Sequence, residues 1–242
     1  MRIRVYVDGF NLYYGGRELA GQKNRAGWRW LDLRALALAI ATRQWPEAVV
    51  EKVVYCTARI TEKANPVGFT EQRTYLRALA RSGSADWIEY GKFYEKTKTR
   101  PIARPDKKGR PVLVRARLPV LVQDRNGAPV RSAQLLACVA DREEKGSDVN
   151  VASHLLIDTL SQMMDAAMVI SNDSDLALPV FEARKLLPTG VVNPRAAVTA
   201  GALRKRPPTG PGGHWEDQLA FADLTACQLP DPATGIRKPS DW

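Results

Sequence analysis

The sequence has few residues of the kinds that build thiolate or imidazole metal sites. Its 242 residues include three widely spaced cysteines, Cys56, Cys138 and Cys227, and two histidines, His154 and His214. The cysteines form no CxxC pair, which argues against a thiolate zinc site and fits a reducing compartment. We therefore expect a cytoplasmic protein in which any metal ion is held mainly by oxygen ligands.

Long apolar runs are also missing, and acids are outnumbered by bases. No stretch of eighteen consecutive apolar residues occurs, so neither a membrane span nor a membrane partner is expected. The start, MRIRVYVDGF, alternates charged and apolar residues and indicates a first strand, not a signal peptide. Lys and Arg total 36 against 26 acids, a net charge of +10. That balance favours a polyanionic partner such as nucleic acid over a merely soluble basic protein.

What is present is an alternation of strand-like and helix-like segments, which predicts an α/β fold with a central parallel sheet flanked by helices. The first half contains IRVYV at 3–7, LDLRALALAIA at 31–41, VVEKVVYCTARI at 49–60, a helical pattern from Thr70 to Arg81, and a strand from Trp87 to Tyr94. The second half contains a helix with Ser147 as its N-cap, the strand AAMVISN, a helix at 176–187, the strand TGVVNP, and a last helix in PRAAVTAGALRK. We expect one domain over 1–206 and a Pro/Gly-rich, loosely packed extension over 207–242 that lies on or near this domain.

The alternation is interrupted over 95–140, where proline, glycine and short β-rich runs predict a basic β-hairpin insertion, with RNG at 125–127 as turn chemistry. From Lys92 to Arg117 there are ten basic residues and two acids. Aromatic residues among them, Phe93 and Tyr94, suit base stacking beside a charged backbone, although both also suit the core of the strand. The candidate RNA-binding residues are Lys92, Lys96, Lys98, Arg100, Lys107, Lys108, Arg110 and, before the Ser147 helix, Lys145.

Acidic residues follow the strands of the predicted sheet. Asp8 ends the first strand, while Asp173 and Asp175 follow the fourth. Ligands of open α/β sheets bind beyond the carboxyl ends of the strands, so these carboxylates are expected at one edge, with Asp148 beside them. Such a group suits Mg²⁺ or Mn²⁺ and metal-dependent phosphodiester hydrolysis. Each acid alone also suits turn or helix-cap chemistry.

Three segments together resemble the signatures of NYN domain proteins, the LabA-like branch of the PIN-like nucleases. They are DGFNLYY at 8–14, EKGSDVNVASHLL at 144–156 and VISNDSDL at 169–176. The resemblance implies a PIN-like fold and metal-dependent cleavage of RNA. It also implies an acidic metal-binding set of Asp8, Asp148, Asp173 and Asp175, with Asn11 as the family's amide and Ser171 as its small hydroxyl. Asn172, Leu176 and His154 depart from the family pattern, and we interpret His154 as a surface or interface residue.

The sequence thus predicts a metal-dependent ribonuclease, most simply an endoribonuclease, with a non-catalytic RNA-binding or protein-interaction module as the alternative. A haloacid-dehalogenase-like phosphatase fits less well, because Phe10 stands where that chemistry needs a second aspartate. A Walker-type phosphate loop also fits poorly, because KGSD lacks the preceding glycine and the spacing of that motif. The RNA substrate and the oligomeric state stay open, a homodimer being one expectation.

Overall fold

A computed structural model of the chain describes residues 1–22, 25–114, 122–133 and 135–242, without the side chains of residues 140 and 142. The chain forms two compact units, which are described separately. The larger unit comprises Met1–Phe93 and Glu144–Trp242, and the smaller one Tyr94–Glu143. Part of the predicted insertion, including Arg115, Arg117 and residues 119–121 of the run before RNG, lies outside the described residues.

A seven-stranded sheet has the order β6-β3-β2-β1-β7-β8-β9, and its pairs of known register, from β3 to β9, are all parallel. The predicted α/β class with a mostly parallel sheet is therefore confirmed. The strands are β1 Arg2–Asp8, β2 Val49–Ala58, β3 Trp87–Pro101, β6 Leu136–Lys145, β7 Ala166–Ile170, β8 Thr189–Asn193 and β9 Trp215–Gln218.

Six helices accompany the sheet in the described residues. They are α1 Gly9–Ala20, α2 Leu33–Gln44, α3 Pro66–Ser82, α4 Ser147–Leu160, α5 Ala177–Arg184 and α6 Phe221–Ala226. Asp32 caps α2 by accepting hydrogen bonds from two backbone N–H groups of its first turn, and Asn65 caps α3 in a similar way before Pro66. Along β1, Val5 and Val7 face one core while Tyr6 faces a second, because helices cover both faces of the sheet. None of the described helices has the length and apolarity that a bilayer span requires.

Several elements differ from those predicted. Helix α1 begins directly after β1, in a segment for which the sequence analysis predicted no helix. The predicted helix over PRAAVTAGALRK is wrong, since only a short 3-10 turn at Gly201–Arg204 forms there. Asn193 explains the difference: its side chain donates to the carbonyl of Ala197 at 2.7 Å and accepts from the N–H of Arg195 at 2.8 Å, which fixes a loop. Gly146, with φ of 99°, takes the N-cap position of α4 in place of Ser147.

The C-terminal segment is more tightly packed than its proline and glycine content suggested. Strand β9 extends the sheet, and Trp215 lies against Gly190, where a Cβ would come within 2.2 Å of the indole. Arg184, fully buried on α5, donates to Glu216 of β9 at 2.8 Å. Trp242 packs on Trp30, with ring centroids 6.1 Å apart. Residues from Pro207 onwards are thus an integral part of the larger unit.

The smaller unit contains an antiparallel hairpin of β4, Ala103–Pro105, and β5, Pro111–Leu113. Asp106 organises the turn between them by accepting hydrogen bonds from the backbone N–H groups of Lys108 and Arg110. Lys107, Lys108 and Arg110 are exposed at this tip. A second turn lies at Asp124–Gly127, as RNG predicted, but the two runs that it was expected to join extend beyond the described residues.

Candidate functional site

The candidate site lies at the carboxyl ends of β1 and β7. Strand order runs outward from this pair in both directions, so the crevice between β1 and β7 is the point at which the order reverses. Ligands of doubly wound sheets bind at such a point. Asp8 ends β1 and Ser171 directly follows β7, and the Ser171 hydroxyl donates to Asp8 Oδ2 at 2.9 Å across the crevice.

Asp8 is the most unusual ionisable group of the site. It is 5% exposed, and its Oδ1 caps α1 by accepting the backbone N–H of Asn11 at 3.0 Å. Burial is the main cause that raises its pKa to about 6. The bonds from Asn11 and Ser171 lower the pKa, while the charges of Asp173 and Glu144 raise it. Asp8 therefore exchanges its proton close to neutral pH.

Amide side chains join the segments around Asp8. Asn11 Oδ1 accepts the backbone N–H of Asn172 at 3.0 Å, and Asn172 Oδ1 accepts the backbone N–H of Ala200 at 2.7 Å. The backbone N–H of Asp173 donates to the Ser171 hydroxyl at 3.0 Å, which continues the chain of hydrogen bonds to Asp8. The predicted convergence of the β1 and β7 ends is therefore real, and a polar network links them.

The remaining acids lie at the starts of helical segments. Asp173 caps the 3-10 turn at Ser174–Leu176 by accepting the N–H of Asp175 at 2.9 Å, and Asp175 is exposed. Asp148 lies in the first turn of α4, where a negative charge suits the helix dipole. Glu144, which the sequence did not single out, accepts hydrogen bonds from the backbone N–H and hydroxyl of Ser147.

The predicted metal set is not borne out. Within the described ranges no group of three or more His, Cys, Asp or Glu side chains is arranged to hold a metal ion. The physical reason is that Asp8 and Asp173 direct an oxygen toward backbone N–H groups as helix caps. These hydrogen bonds stabilise the carboxylates, and the raised pKa of Asp8, about 6, lessens the repulsion between the acids.

A row of aromatic rings, which sequence reasoning missed, starts beside Asp8. Phe10, Tyr13 and Tyr14 follow one face of α1 at helical spacing. Phe10 meets Phe93 edge-on at 5.6 Å, and Tyr13 lies 5.5 Å from Trp28. Tyr13 and Tyr14 are exposed, although large apolar rings usually avoid water. The spacing of these three aromatic residues, at i, i+3 and i+4, is the sequence pattern that could have predicted α1 and its aromatic face.

The predicted RNA-binding residues fall into two groups. Lys98 forms an ion pair with Asp141 and lies 3.4 Å from Glu143, while Lys96 lies 3.5 Å from Glu143. These two charges are partly neutralised. Exposed side chains at the other predicted positions are Lys92, Arg100, Lys107, Lys108, Arg110 and Lys145. Of these, Arg110 forms an ion pair with Asp106, with Nε 2.9 Å from Oδ2.

His154 is on α4, with Nε2 3.3 Å from Glu89 Oε2. The Trp87 indole donates to the same carboxylate oxygen at 2.8 Å, and together these hydrogen bonds lower the pKa of Glu89. A partly buried histidine paired to a strand residue agrees with a structural position. No role for it in the crevice follows from these contacts.

Comparisons with known proteins point to a different chemistry from that predicted. The chain is 28% identical to the 6-hydroxy-3-succinoylpyridine 3-monooxygenase HspA of Pseudomonas putida, over 269 aligned positions that cover all of this chain and 75% of the relative. A solved protein of unknown function from Vibrio parahaemolyticus has 17% identity and a TM-score of 0.44, with 89% of this chain and 91% of that chain covered. No family model matches the sequence.

The prediction of a metal-dependent ribonuclease is therefore corrected. A monooxygenase is an oxidoreductase, not a phosphodiester hydrolase, and the similarity extends over the whole chain. The expected Mg²⁺ or Mn²⁺ cofactor is corrected by the same similarity and by the lack of a metal-binding group among the described side chains. Asp8, Asn11, Asp148, Asp173 and Asp175 lose their predicted role in metal-dependent RNA hydrolysis.

Proposed function

We propose that the protein is an oxidoreductase of the monooxygenase class that acts on a small hydroxylated heteroaromatic ring. The observation that carries this proposal is the similarity over the full chain to a monooxygenase whose named substrate is a hydroxypyridine. Where the ring carbon carries a hydrogen, as in 2-hydroxypyridine, O₂, two electrons and two protons convert C–H to C–OH and release one water. The electrons come from a two-electron donor such as a reduced nicotinamide or flavin.

Two features around the end of β1 support a ring substrate. Rings prefer stacked or edge-to-face neighbours, and the row of Phe93, Phe10, Tyr13 and Tyr14, three of whose rings lie on the helix that follows Asp8, already pairs its own rings in both ways and leaves Tyr13 and Tyr14 exposed. Asp8, with a pKa near 6, is suited to accept the proton of a ring hydroxyl at neutral pH. The resulting oxyanion enriches the ring in electrons and prepares it for attack by an electrophilic oxygen species.

The test is turnover under ¹⁸O₂. The purified full chain is incubated with 6-hydroxy-3-succinoylpyridine or 2-hydroxypyridine, NADH or NADPH, and each flavin in turn. We expect one ¹⁸O atom in the ring product by mass spectrometry, and a strong loss of rate in Asp8→Asn. Glu47→Gln, on the exposed segment before β2 at the opposite end of the sheet, is the matched control. Absence of labelled product under every condition contradicts the proposal.

Finer parts of the sequence interpretation also stay proposals. We infer a PIN-like arrangement of the larger unit from the three motifs, without the nuclease activity. A cytoplasmic location is supported by three cysteines that are free. RNA remains a proposed ligand of the smaller unit, supported by the exposed Lys107, Lys108 and Arg110 at one hairpin tip. It is independent of the oxidoreductase proposal.

A further inference from the structure

Monooxygenase chemistry suggests a flavin, and the flavins of enzymes usually carry phosphate as FMN or FAD. In a doubly wound sheet, the phosphate of a bound nucleotide normally lies at the N-terminus of the helix that follows the first strand. Two things make that position suitable: free N–H groups in the first turn, and a glycine-rich loop that lets the backbone approach. In this fold, both features would be expected at the end of β1, where α1 begins.

Neither feature is present at α1. Strand β1 ends at Asp8 and α1 starts at Gly9, so no loop separates them. A carboxylate already occupies the end of the helix, since Asp8 Oδ1 accepts the N–H of Asn11 at 3.0 Å. Gly9 does not open space for a ligand, because a Cβ there would lie 2.8 Å from the Cys56 carbonyl and from the Tyr55 ring. The backbone at this glycine is packed against β2.

Other helix starts that follow the carboxyl ends of the strands also have side-chain caps. After β2, Asn65 caps α3. At α4, the first N–H, that of Ser147, donates to Glu144 Oε1 at 3.2 Å. On the β7 side, Asp173 caps the 3-10 turn, and Asp175 is exposed next to it. A side-chain oxygen therefore already accepts a first-turn N–H group at α3, at α4 and at the 3-10 turn, and the last two acceptors are carboxylates, whereas α5, which continues the 3-10 turn, has no side-chain cap.

We infer that the crevice between β1 and β7 does not hold a phosphate-bearing cofactor, and that its ligand is a planar ring without phosphate. The inference deepens the proposed function and rests on it for the kind of ligand. The electrons for the reaction must then come from a donor whose phosphate stays outside this crevice. The fold class alone suggests that a nucleotide phosphate binds at the end of β1. The carboxylates at the helix starts are the reason that we infer the opposite.

Three flavins with one ring test the inference. Riboflavin, FMN and FAD share the isoalloxazine ring and differ in phosphate, so equilibrium dialysis of each against the full chain, read by flavin fluorescence, isolates the phosphate. We expect riboflavin to bind at least about tenfold more tightly than FMN and FAD. FMN or FAD binding as tightly as riboflavin, or more tightly, overturns the inference, and so does the failure of all three to bind.

A charge variant tests the cause. In Asp173→Asn Asp175→Asn, FMN affinity should rise at least threefold relative to the unaltered chain, whereas Glu47→Gln should leave it unchanged. No rise in the double variant overturns the electrostatic explanation. These binding results are separate from ¹⁸O incorporation: a chain that fails to oxygenate the ring refutes the proposed function, and a chain that prefers FMN refutes the exclusion of phosphate.

Discussion

Asp8 meets two opposing demands at the scale of a single residue. As the cap of α1 it accepts a backbone N–H, which favours the ionised form, but its burial beside Asp173 and Glu144 favours the neutral form more strongly. The outcome is a pKa of about 6 in place of 3.8. The protein therefore holds a carboxyl group that is half ionised just below neutral pH, which is the range that proton transfer to and from a phenolic or pyridinol hydroxyl requires.

The shift predicts how stability depends on pH. Because the pKa of Asp8 is higher in the folded state, protonated Asp8 contributes to the free energy of unfolding. This contribution is fully present below about pH 4 and is lost as pH rises through about 6. At 1.36 kcal/mol per pKa unit, the loss is about 3 kcal/mol. In Asp8→Asn this part of the pH dependence should disappear, as measured by urea unfolding between pH 4 and pH 8. In Ser171→Ala, which removes a bond to the ionised carboxylate, the window should move to higher pH. A pH dependence in Asp8→Asn parallel to that of the unaltered chain contradicts the prediction.

Gly9 gives a second prediction at this scale. A Cβ at position 9 would lie 2.8 Å from the Cys56 carbonyl, which is backbone, and from the end of the Tyr55 ring, which is buried in the core. Gly9→Ala should therefore push α1 away from β2 and lower the free energy of unfolding by about 1–3 kcal/mol. Gly201→Ala, where the nearest atom is 3.9 Å away on Arg204, is the matched control and should be near neutral. Equal stability of the two variants in urea denaturation would contradict the packing argument.

At the scale of elements, Arg184 ties α5 to the C-terminal segment. Its buried guanidinium donates to the carbonyls of Leu203 and Lys205, at 2.7 and 2.8 Å, and to Glu216 on β9. Arg184→Met leaves two carbonyls without these donors and should lower the free energy of unfolding by about 3 kcal/mol. Lys185→Met, at the next position but exposed, should change it by less than about 1 kcal/mol. Thermal and urea unfolding would compare the two variants. Similar losses of unfolding free energy in both would show that the buried hydrogen bonds of Arg184 do not stabilise the fold.

The hairpin tip offers a test of RNA binding that does not depend on the enzyme activity. Lys107 and Lys108 are exposed, and Asp106 beside them accepts hydrogen bonds from Lys108 and Arg110 within the turn. Lys107→Glu Lys108→Glu should weaken binding to oligo-U. The slope of log affinity against log salt should become shallower by about 0.7 for each phosphate that the variant no longer neutralises. Exposed Lys63, mutated to Glu in the larger unit, is the control. Fluorescence anisotropy at several salt concentrations is the measurement, and unchanged affinity and slope would dismiss the tip as an RNA-binding surface.

The elements also show how far sequence alone could reach. Strands β1, β2, β7 and β8 were predictable because β-branched runs buried on both faces leave few alternatives. Helix α1 was missed because Gly15 and Gly16 are poor helix formers. Tertiary packing explains why glycine stands at both positions. A Cβ at Gly15 would lie 2.1 Å from the Pro194 carbonyl, and one at Gly16 would lie 2.6 Å from the Trp28 ring. Such packing joins residues distant in sequence and leaves no local pattern.

For the whole molecule, topology was more predictable than chemistry. The sequence placed acids after β1 and β7, and the sheet does bring Asp8 and Ser171 into hydrogen-bonding contact. Whether a carboxylate faces a metal ion or caps a helix depends on rotamer and on partners only a few ångströms away. Asp173 makes the point: its oxygen accepts the N–H of Asp175, two residues onward. The residue types and spacing are the same in either case, so the motif alone did not determine the activity.

The integration of the C-terminal segment gives a prediction for the whole fold. Trp242 packs on Trp30 and Tyr75, the Trp30 indole donates to the Pro230 carbonyl at 3.0 Å, and Trp45 meets Trp215 of β9 at 5.0 Å. A chain that ends at Arg206 lacks these aromatic and hydrogen-bonding partners and exposes the edge of β8. It should aggregate or fail to unfold cooperatively.

A milder change keeps the fold measurable. Trp242→Ala should lower the free energy of unfolding by about 2 kcal/mol, because a partly buried indole is removed from an aromatic cluster. Trp87→Ala, whose ring is 53% exposed, is the matched control and should cost less than about 1 kcal/mol. Urea unfolding followed by far-UV circular dichroism avoids the change in tryptophan fluorescence. If Trp242→Ala and the chain ending at Arg206 both unfold like the unaltered protein, the segment after Pro207 does not stabilise the larger unit, and its packing against α2, α3 and β8 has little energetic weight.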